Sequence, residues 1–333
     1  AADGAIGVVS LGLVAAAADG TLTTAPILIA LALRSVGSAF HSPCIQAVTP
    51  LIAPPEALSR CAGWSQGIQT VSMLLSPAIA AVLYEHVPLS WVIALDTLGA
   101  AFAICGVLAA RLPVLRAGAA GRKLRLWSDT VEGFRVLRAK RWLWELCLIC
   151  ALFSVAFMPI SALYPLMSIE YFAVSTEGAA LVETVWSVGM LAGSVILGIW
   201  GGTRNKIITM AGSVFLLGTT LVVTGLLPPA AFWVFVALTA LMGLSAPFFS
   251  SVFMALIQEK VEGEYLGRVL GLSGAIMTLA SPLGLAASAV FAEKTGLSLW
   301  FLIAGVVTLA CGGLIVALPS VRSCDAPSEN GTG

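Results

Sequence analysis

Three ionisable side chains, Arg34, Asp96 and Glu183, fall inside stretches of sequence that are otherwise apolar. A charge in hydrocarbon costs about 2.5–3.5 kcal/mol on insertion scales, so such residues persist where they face a partner or a wet cavity. Arg34 stands about nine residues into its stretch, about 14 Å deep at the rise of a helix. Asp96 stands about seven residues in and Glu183 about five, all entering from the same side. Two chemistries fit. In one, Arg34 is a fixed positive charge beside a carboxylate that loads and releases a proton as its solvation alternates. In the other, Arg34 and Asp96 form a buried pair that holds helices in register, and Glu183 sits at the membrane boundary.

A second constellation occurs twice. The segment Glu56-Ala-Leu-Ser-Arg-Cys-Ala-Gly-Trp-Ser65 is echoed by Glu264-Tyr-Leu-Gly-Arg-Val-Leu-Gly-Leu-Ser273, with Glu, Leu, Arg, Gly and Ser at matching offsets. In each copy the acid precedes the arginine at i, i+4, the better order for a helical ion pair, and faces the positive end of the helix that follows. Glu56, Arg60, Glu264 and Arg268 are expected at the rim of a bundle. There they act as latches between helix ends, or as plain helix starts with snorkelling arginines.

A ligand-facing wall is the third expectation. Gln66, Gln69 and Met73 lie close along one stretch, Phe248 and Phe249 flank Pro247, and Met158 and Met190 are flexible apolar fillers. An apolar wall with a few polar anchors suits a large amphiphilic ligand; the alternative is that these residues face lipid or a neighbouring helix. Signatures of other chemistries are missing. The chain carries no G-x-x-x-x-G-K-[ST] nucleotide loop, no G-x-S-x-G and no H-E-x-x-H, which argues against an enzyme. His41 and His86 are too few and too isolated for a metal site, and Cys147 with Cys150 reads as a pair of small packing residues.

The elements that must position these residues follow from composition. Hydrophobic residues make up 59% of the chain and charged residues 10%, against about 25% charge in a soluble domain. The expected fold is an all-α polytopic membrane protein. Stretches near the roughly 20 residues needed to span a bilayer fall at about 4–18, 25–49, 61–84, 89–110, 143–165, 178–200, 207–226, 230–254, 266–290 and 297–318. The duplicated segment recurs after six spans in the same orientation, which predicts two parallel-related halves with a ligand site near the midplane between them. The second copy sits between the fourth and fifth spans of its half, yet only two spans precede the first copy. Ten of twelve transmembrane helices are therefore expected, the first two being absent. The chain divides into an N-terminal half over 1–110, a linker over 111–141, a six-helix half over 142–319 and a polar tail over 320–333.

Of 17 Lys and Arg residues, nine lie between Arg111 and Arg141. By the positive-inside rule this linker and both chain ends are cytoplasmic. Within the linker Trp127, Val131, Phe134 and Leu137 recur at helical spacing, with Arg135, Arg138 and Lys140 off that stripe. The pattern predicts an amphipathic helix on the inner membrane surface, or a solvated connector.

Several strings resemble the macrolide-efflux branch of the major facilitator superfamily: Arg34-Ser-Val-Gly-Ser-Ala-Phe-His-Ser-Pro43, Ala47-Val-Thr-Pro50, Cys61-Ala-Gly-Trp-Ser-Gln66, Met158-Pro-Ile-Ser-Ala-Leu-Tyr-Pro165, Gly243-Leu-Ser-Ala-Pro-Phe248 and Gln258-Glu-Lys through Glu264-Tyr-Leu-Gly-Arg268. The resemblance implies a two-half major facilitator fold and proton-driven export of macrolide-like drugs from a bacterial cell. It implies no cofactor beyond the proton gradient, and a monomer whose partners are an amphiphilic drug and lipid, with no nucleic acid. A partner ATPase stays open, as do two alternatives: another amphiphilic cargo such as a siderophore or lipid-like metabolite, and a non-transporting membrane binding protein. Arg34 with Gly37 looks like the family's fourth-helix Arg-x-x-x-Gly element in shortened form, where the arginine is associated with proton coupling. Ser76-Pro77-Ala-Ile-Ala80-Ala81 resembles the antiporter Gly-Pro-x-x-Gly-Gly motif with Ser and Ala in place of Gly. The loop Gly198-Ile-Trp-Gly-Gly-Thr-Arg-Asn-Lys206 resembles the second-half counterpart of the signature loop, without its usual acid.

Overall fold

A computed structural model of the chain describes residues 12–13, 24–109 and 126–324, and these contain no β-strand. The long helices are α1 (Thr24–Ile52), α2 (Leu58–His86), α3 (Leu89–Ala109), α5 (Arg141–Leu166), α6 (Thr176–Trp200), α7 (Lys206–Leu226), α8 (Phe232–Lys260), α9 (Gly263–Thr295) and α10 (Leu297–Ala317). Between α3 and α5 lies α4 (Leu126–Ala139), and α11 (Pro319–Ser323) closes the described chain. Nine expected spans coincide with these helices to within a handful of residues; the tenth, 4–18, lies outside the described residues apart from 12–13. Six helical segments are both long and apolar enough to cross a bilayer among the described residues, from Arg141–Tyr171 through Leu297–Ala317. Their outward faces carry Leu148, Leu152, Ile199, Val234, Leu241 and Leu283, all exposed. Contiguous apolar surface of this extent is rare on a soluble monomer and is what a lipid-facing bundle requires.

The chain forms two compact units. One holds residues 24–54 and 72–109; the other holds 55–71 with 126–324. In the first, α1 buries Ala30 and turns Leu28, Ile29, Leu31 and Leu33 outward.

The second unit alternates in direction. Lys140 Nζ donates to the Lys260 carbonyl at 2.9 Å, Lys206 pairs with Glu259, Arg268 meets Glu132 at 3.0 Å, and Ser320 donates to Glu145. These contacts bring the starts of α5, α7 and α9 and the ends of α6, α8 and α10 to one end. Local signals set the turns. Gly201, at φ +80°, ends α6 in the left-handed region that glycine occupies without a Cβ penalty. Asn205 then caps α7, its Oδ1 accepting from the Ile207 N–H at 3.0 Å. At the opposite end α5 widens into a π-helical turn, Met167–Tyr171, and the Tyr171 hydroxyl donates to the Leu227 carbonyl at 2.6 Å.

Glycine sets the spacing where α6 crosses α8. A Cβ on Gly243 would stand 2.4 Å from the Trp186 carbonyl oxygen, closer than any real contact, so the two backbones touch. The first turns of α2 approach α6 in the same way, since a Cβ on Gly63 would stand 2.8 Å from the Gly198 nitrogen. Such small-residue crossings are how membrane helices gain packing without a hydrophobic driving force.

Within the linker, residues Leu126–Ala139 form the helix α4. Leu137 is fully buried while Val131 and Phe134 remain exposed, and Trp127 has its side chain outside the described residues. The docking face runs through Glu132 and Gly133, where Arg268 lies 3.2 Å from a Cβ placed on that glycine. A stripe defined by large apolar residues does not register a contact made through glycine and an ion pair.

Candidate functional site

Helix α5 presents Phe157, Ile160, Ser161 and Tyr164 at i, i+3, i+4 and i+7, and α6 presents Glu183, Trp186 and Ser187 at i, i+3 and i+4. Both spacings place residues on one helix face. The two faces line a half-open cavity of about 240 Å³ formed by these seven residues, with Ser161 and Glu183 exposed at it. Its walls are aromatic. The Phe157 and Trp186 rings are 6.2 Å apart, and Tyr164 and Trp186 are 6.1 Å apart. The series continues inward from Phe157 to Phe153 at 5.1 Å and from Phe153 to Phe249 at 4.7 Å. Behind the pocket Tyr164 stacks on Phe235 at 5.4 Å, so buried packing fixes the ring.

The polar groups are sparse. Ser161 Oγ donates to the Met158 carbonyl at 2.8 Å and Ser187 Oγ to the Glu183 carbonyl at 3.0 Å, leaving hydroxyl lone pairs as acceptors. Thr239 Oγ1 approaches the Tyr164 hydroxyl at 3.4 Å from behind. The Glu183 carboxylate has no ion-pair or hydrogen-bond partner among the described residues, and no Lys, Arg or His lines the cavity. One negative charge, two hydroxyl acceptors and three aromatic faces attract a proton or an organic cation, which aromatic rings hold through their quadrupoles.

Of the residues singled out from sequence, Glu183 alone lines this cavity. Phe249 belongs to the aromatic series one layer deeper, Phe248 turns instead to Trp200 at 6.3 Å, and Met190 is half-buried one turn beyond Trp186 on α6. Met158 is exposed, and so are Gln69 and Met73, with Gln66 half-buried on α2. Arg34 lies on α1 and Asp96 on α3, both in the first unit; their side chains lie outside the described residues. Phe157, Ser161, Tyr164, Trp186 and Ser187 were not anticipated. Helical spacing puts each set on one helix face, but nothing in the sequence says that the two faces meet.

The other end of the unit is charged. Glu259 takes both Lys206 and, at 3.0 Å, Lys260, and Arg141 holds Glu145 at 2.7 Å. Arg268 turns to Glu132 of α4 rather than to Glu264, its i−4 neighbour, and also lies 5.7 Å above the Tyr265 ring. Glu264 is exposed. In the first copy Glu56 and Arg60 line a polar cavity of about 350 Å³ with Gly201, Arg204 and Glu259. The duplicated Glu-x-x-x-Arg element thus enters two different surroundings. Among the cysteines, Cys147 Sγ meets Ser273 Oγ at 3.4 Å, and Cys150 is buried.

An all-helical bundle with lipid-facing flanks, charges gathered at one end and a polar-aromatic cavity toward the other defines a multi-pass membrane carrier. The family model of the Major Facilitator Superfamily matches residues 4–212 and, again, 155–330. Macrolide efflux protein A of Streptococcus pyogenes is 41% identical over 299 residues, covering 90% of this chain and 74% of that protein. Its counterpart from Enterococcus faecalis is 43% identical over 259 residues, covering 78% of this chain and 80% of that one. The crystal structure of a bacterial homologue of the iron transporter ferroportin, in an outward-facing state, superposes with a TM-score of 0.69 at 17% identity. That match covers 95% of this chain and 82% of the other. The chain belongs to the major facilitator superfamily, in its macrolide-efflux branch, and is a transporter rather than an enzyme.

Proposed function

We propose that the protein exports macrolide-like amphiphiles from a bacterial cell in exchange for protons, needing no cofactor beyond the proton gradient. The observation that carries this is the unpartnered Glu183 carboxylate on an aromatic cavity within a membrane helix. Its oxygens hold a proton or the basic amine of a drug, and each displaces the other. A site with those two mutually exclusive occupants couples inward proton flow to outward drug flow when access alternates. The cavity is smaller than the 300–1,000 Å³ of sites that enclose a whole drug-sized ligand, so it receives one arm of the molecule while the rest lies along a wider path. The names of the macrolide efflux relatives support the cargo.

In this proposal the charged end of the second unit is cytoplasmic, with both chain ends on that side, as the positive-inside rule favours. Arg34 is a fixed positive charge within its own span, and the protein works as a monomer. The test is expression of the complete gene in a macrolide-susceptible bacterium. Erythromycin accumulation is expected to fall and resistance to rise, and both effects should vanish when an uncoupler collapses the proton gradient. Unchanged accumulation would remove the cargo, and efflux persisting in the uncoupler would remove the proton.

A further inference from the structure

The polar cavity at the charged end has chemistry of its own. Its cations are Arg60 from the first turns of α2, Arg204 from the α6–α7 loop and Lys206 from the start of α7; its carboxylates are Glu56 and Glu259. Lys206 and Glu259 neutralise one another. Arg60 and Arg204 have no carboxylate partner among the described residues, and both are exposed. Arg60 passes close to Gly201, a Cβ on which would stand 2.9 Å from its Nε. That glycine and Gly202, at φ +80° and +87°, let the loop fold tightly beside the guanidinium. Trp200 lines the same cavity and leaves 52% of its surface exposed. Tryptophan is enriched at the head-group level of a bilayer, which sets the depth of the cavity at lipid phosphates rather than in the acyl core.

We propose that this cavity takes the phosphate of an anionic phospholipid, held between the Arg60 and Arg204 guanidiniums. A guanidinium offers parallel N–H donors that match two phosphate oxygens, and basic pockets between membrane helices recognise head groups in this way. Of the carboxylates that also line the cavity, Glu259 is taken up by Lys206 and Lys260, and Glu56 is exposed. Bound there, the lipid ties the start of α2 to the loop between α6 and α7 without touching the Glu183 cavity.

The experiment is native mass spectrometry of the purified full chain in neutral detergent, offered phosphatidylglycerol, phosphatidylcholine or inorganic phosphate. Wild-type protein is expected to retain phosphatidylglycerol over phosphatidylcholine by about tenfold or more, as expected for hydrogen bonds to charged groups. Arg60→Gln with Arg204→Gln should abolish that preference, whereas Arg135→Gln with Arg138→Gln on α4, removing equal charge, should keep it. Should the double variant not fold, Arg204→Gln alone, at an exposed loop position, should still lower the preference several-fold. Equal loss in the α4 variant would mean diffuse attraction and overturn the site. Displacement of the lipid by millimolar inorganic phosphate would overturn the lipid as its ligand. No drug enters this assay, so its outcome is independent of the efflux assignment.

Discussion

The two ends of the second unit treat charge in opposite ways. At one end most carboxylates are answered: Glu259 by Lys206 and Lys260, Glu145 by Arg141 and Ser320, Glu132 by Arg268. At the other, Glu183 has no charged partner among the described residues and shares its cavity with Phe157, Tyr164, Trp186 and two serines. Pairing fixes geometry, because a paired charge leaves its partner only at a cost. An unanswered carboxylate is free to change occupant. The rim thus holds the bundle together, and the cavity does the exchange.

Breaking the lone carboxylate should have the largest effect. Glu183→Gln keeps the shape and removes the charge, and is expected to abolish erythromycin resistance and drug-dependent proton movement in vesicles while leaving membrane insertion intact. A variant with near-normal efflux would show that the contrast between the two ends has no functional content. Next is the crossing that sets the cavity wall. Gly243→Ala drives a methyl group to 2.4 Å from the Trp186 carbonyl. Overpacking of this kind costs about 1–3 kcal/mol, visible as a lower midpoint of thermal unfolding in detergent. The wall itself can be sharpened. Trp186→Ala should weaken binding of a cationic drug about tenfold, the scale of a desolvated cation–π contact, and Trp186→Phe should restore most of it in a fluorescence titration. The smallest effect belongs to the rim. Glu132→Gln leaves Arg268 over Tyr265 and removes a part-exposed pair, with an expected cost below about 1 kcal/mol; a loss comparable to Gly243→Ala would mean that α4 is held chiefly by that ion pair.

Much of this is legible in the sequence. Apolar length located nine helices to within a few residues because a bilayer-spanning segment is set by composition alone. Glu183 announced itself as a charge in an apolar span, since the cost of burial makes such a residue conspicuous. Its surroundings did not. Phe157, Tyr164 and Trp186 are ordinary aromatic residues in a chain with 14 Phe, 4 Tyr and 9 Trp, and only the mutual rotation of α5 and α6 turns them onto one cavity. Gly189, Gly193 and Gly243 bring the backbones of α6 and α8 into contact, a close approach that a hydrophobic pattern does not register. Arg268 makes the same point. Its i−4 acid was close in sequence, yet a glycine on α4 let Glu132 approach instead.

The most direct test of the exchange is the proton count on drug binding. Purified protein in weakly buffered detergent, titrated with erythromycin at a series of pH values, should release protons on binding wherever the protonated amine displaces a proton from the Glu183 carboxyl, and Glu183→Gln should bind weakly and release none. Tight binding by wild-type protein with no proton released at any pH, or release undiminished in Glu183→Gln, would contradict it.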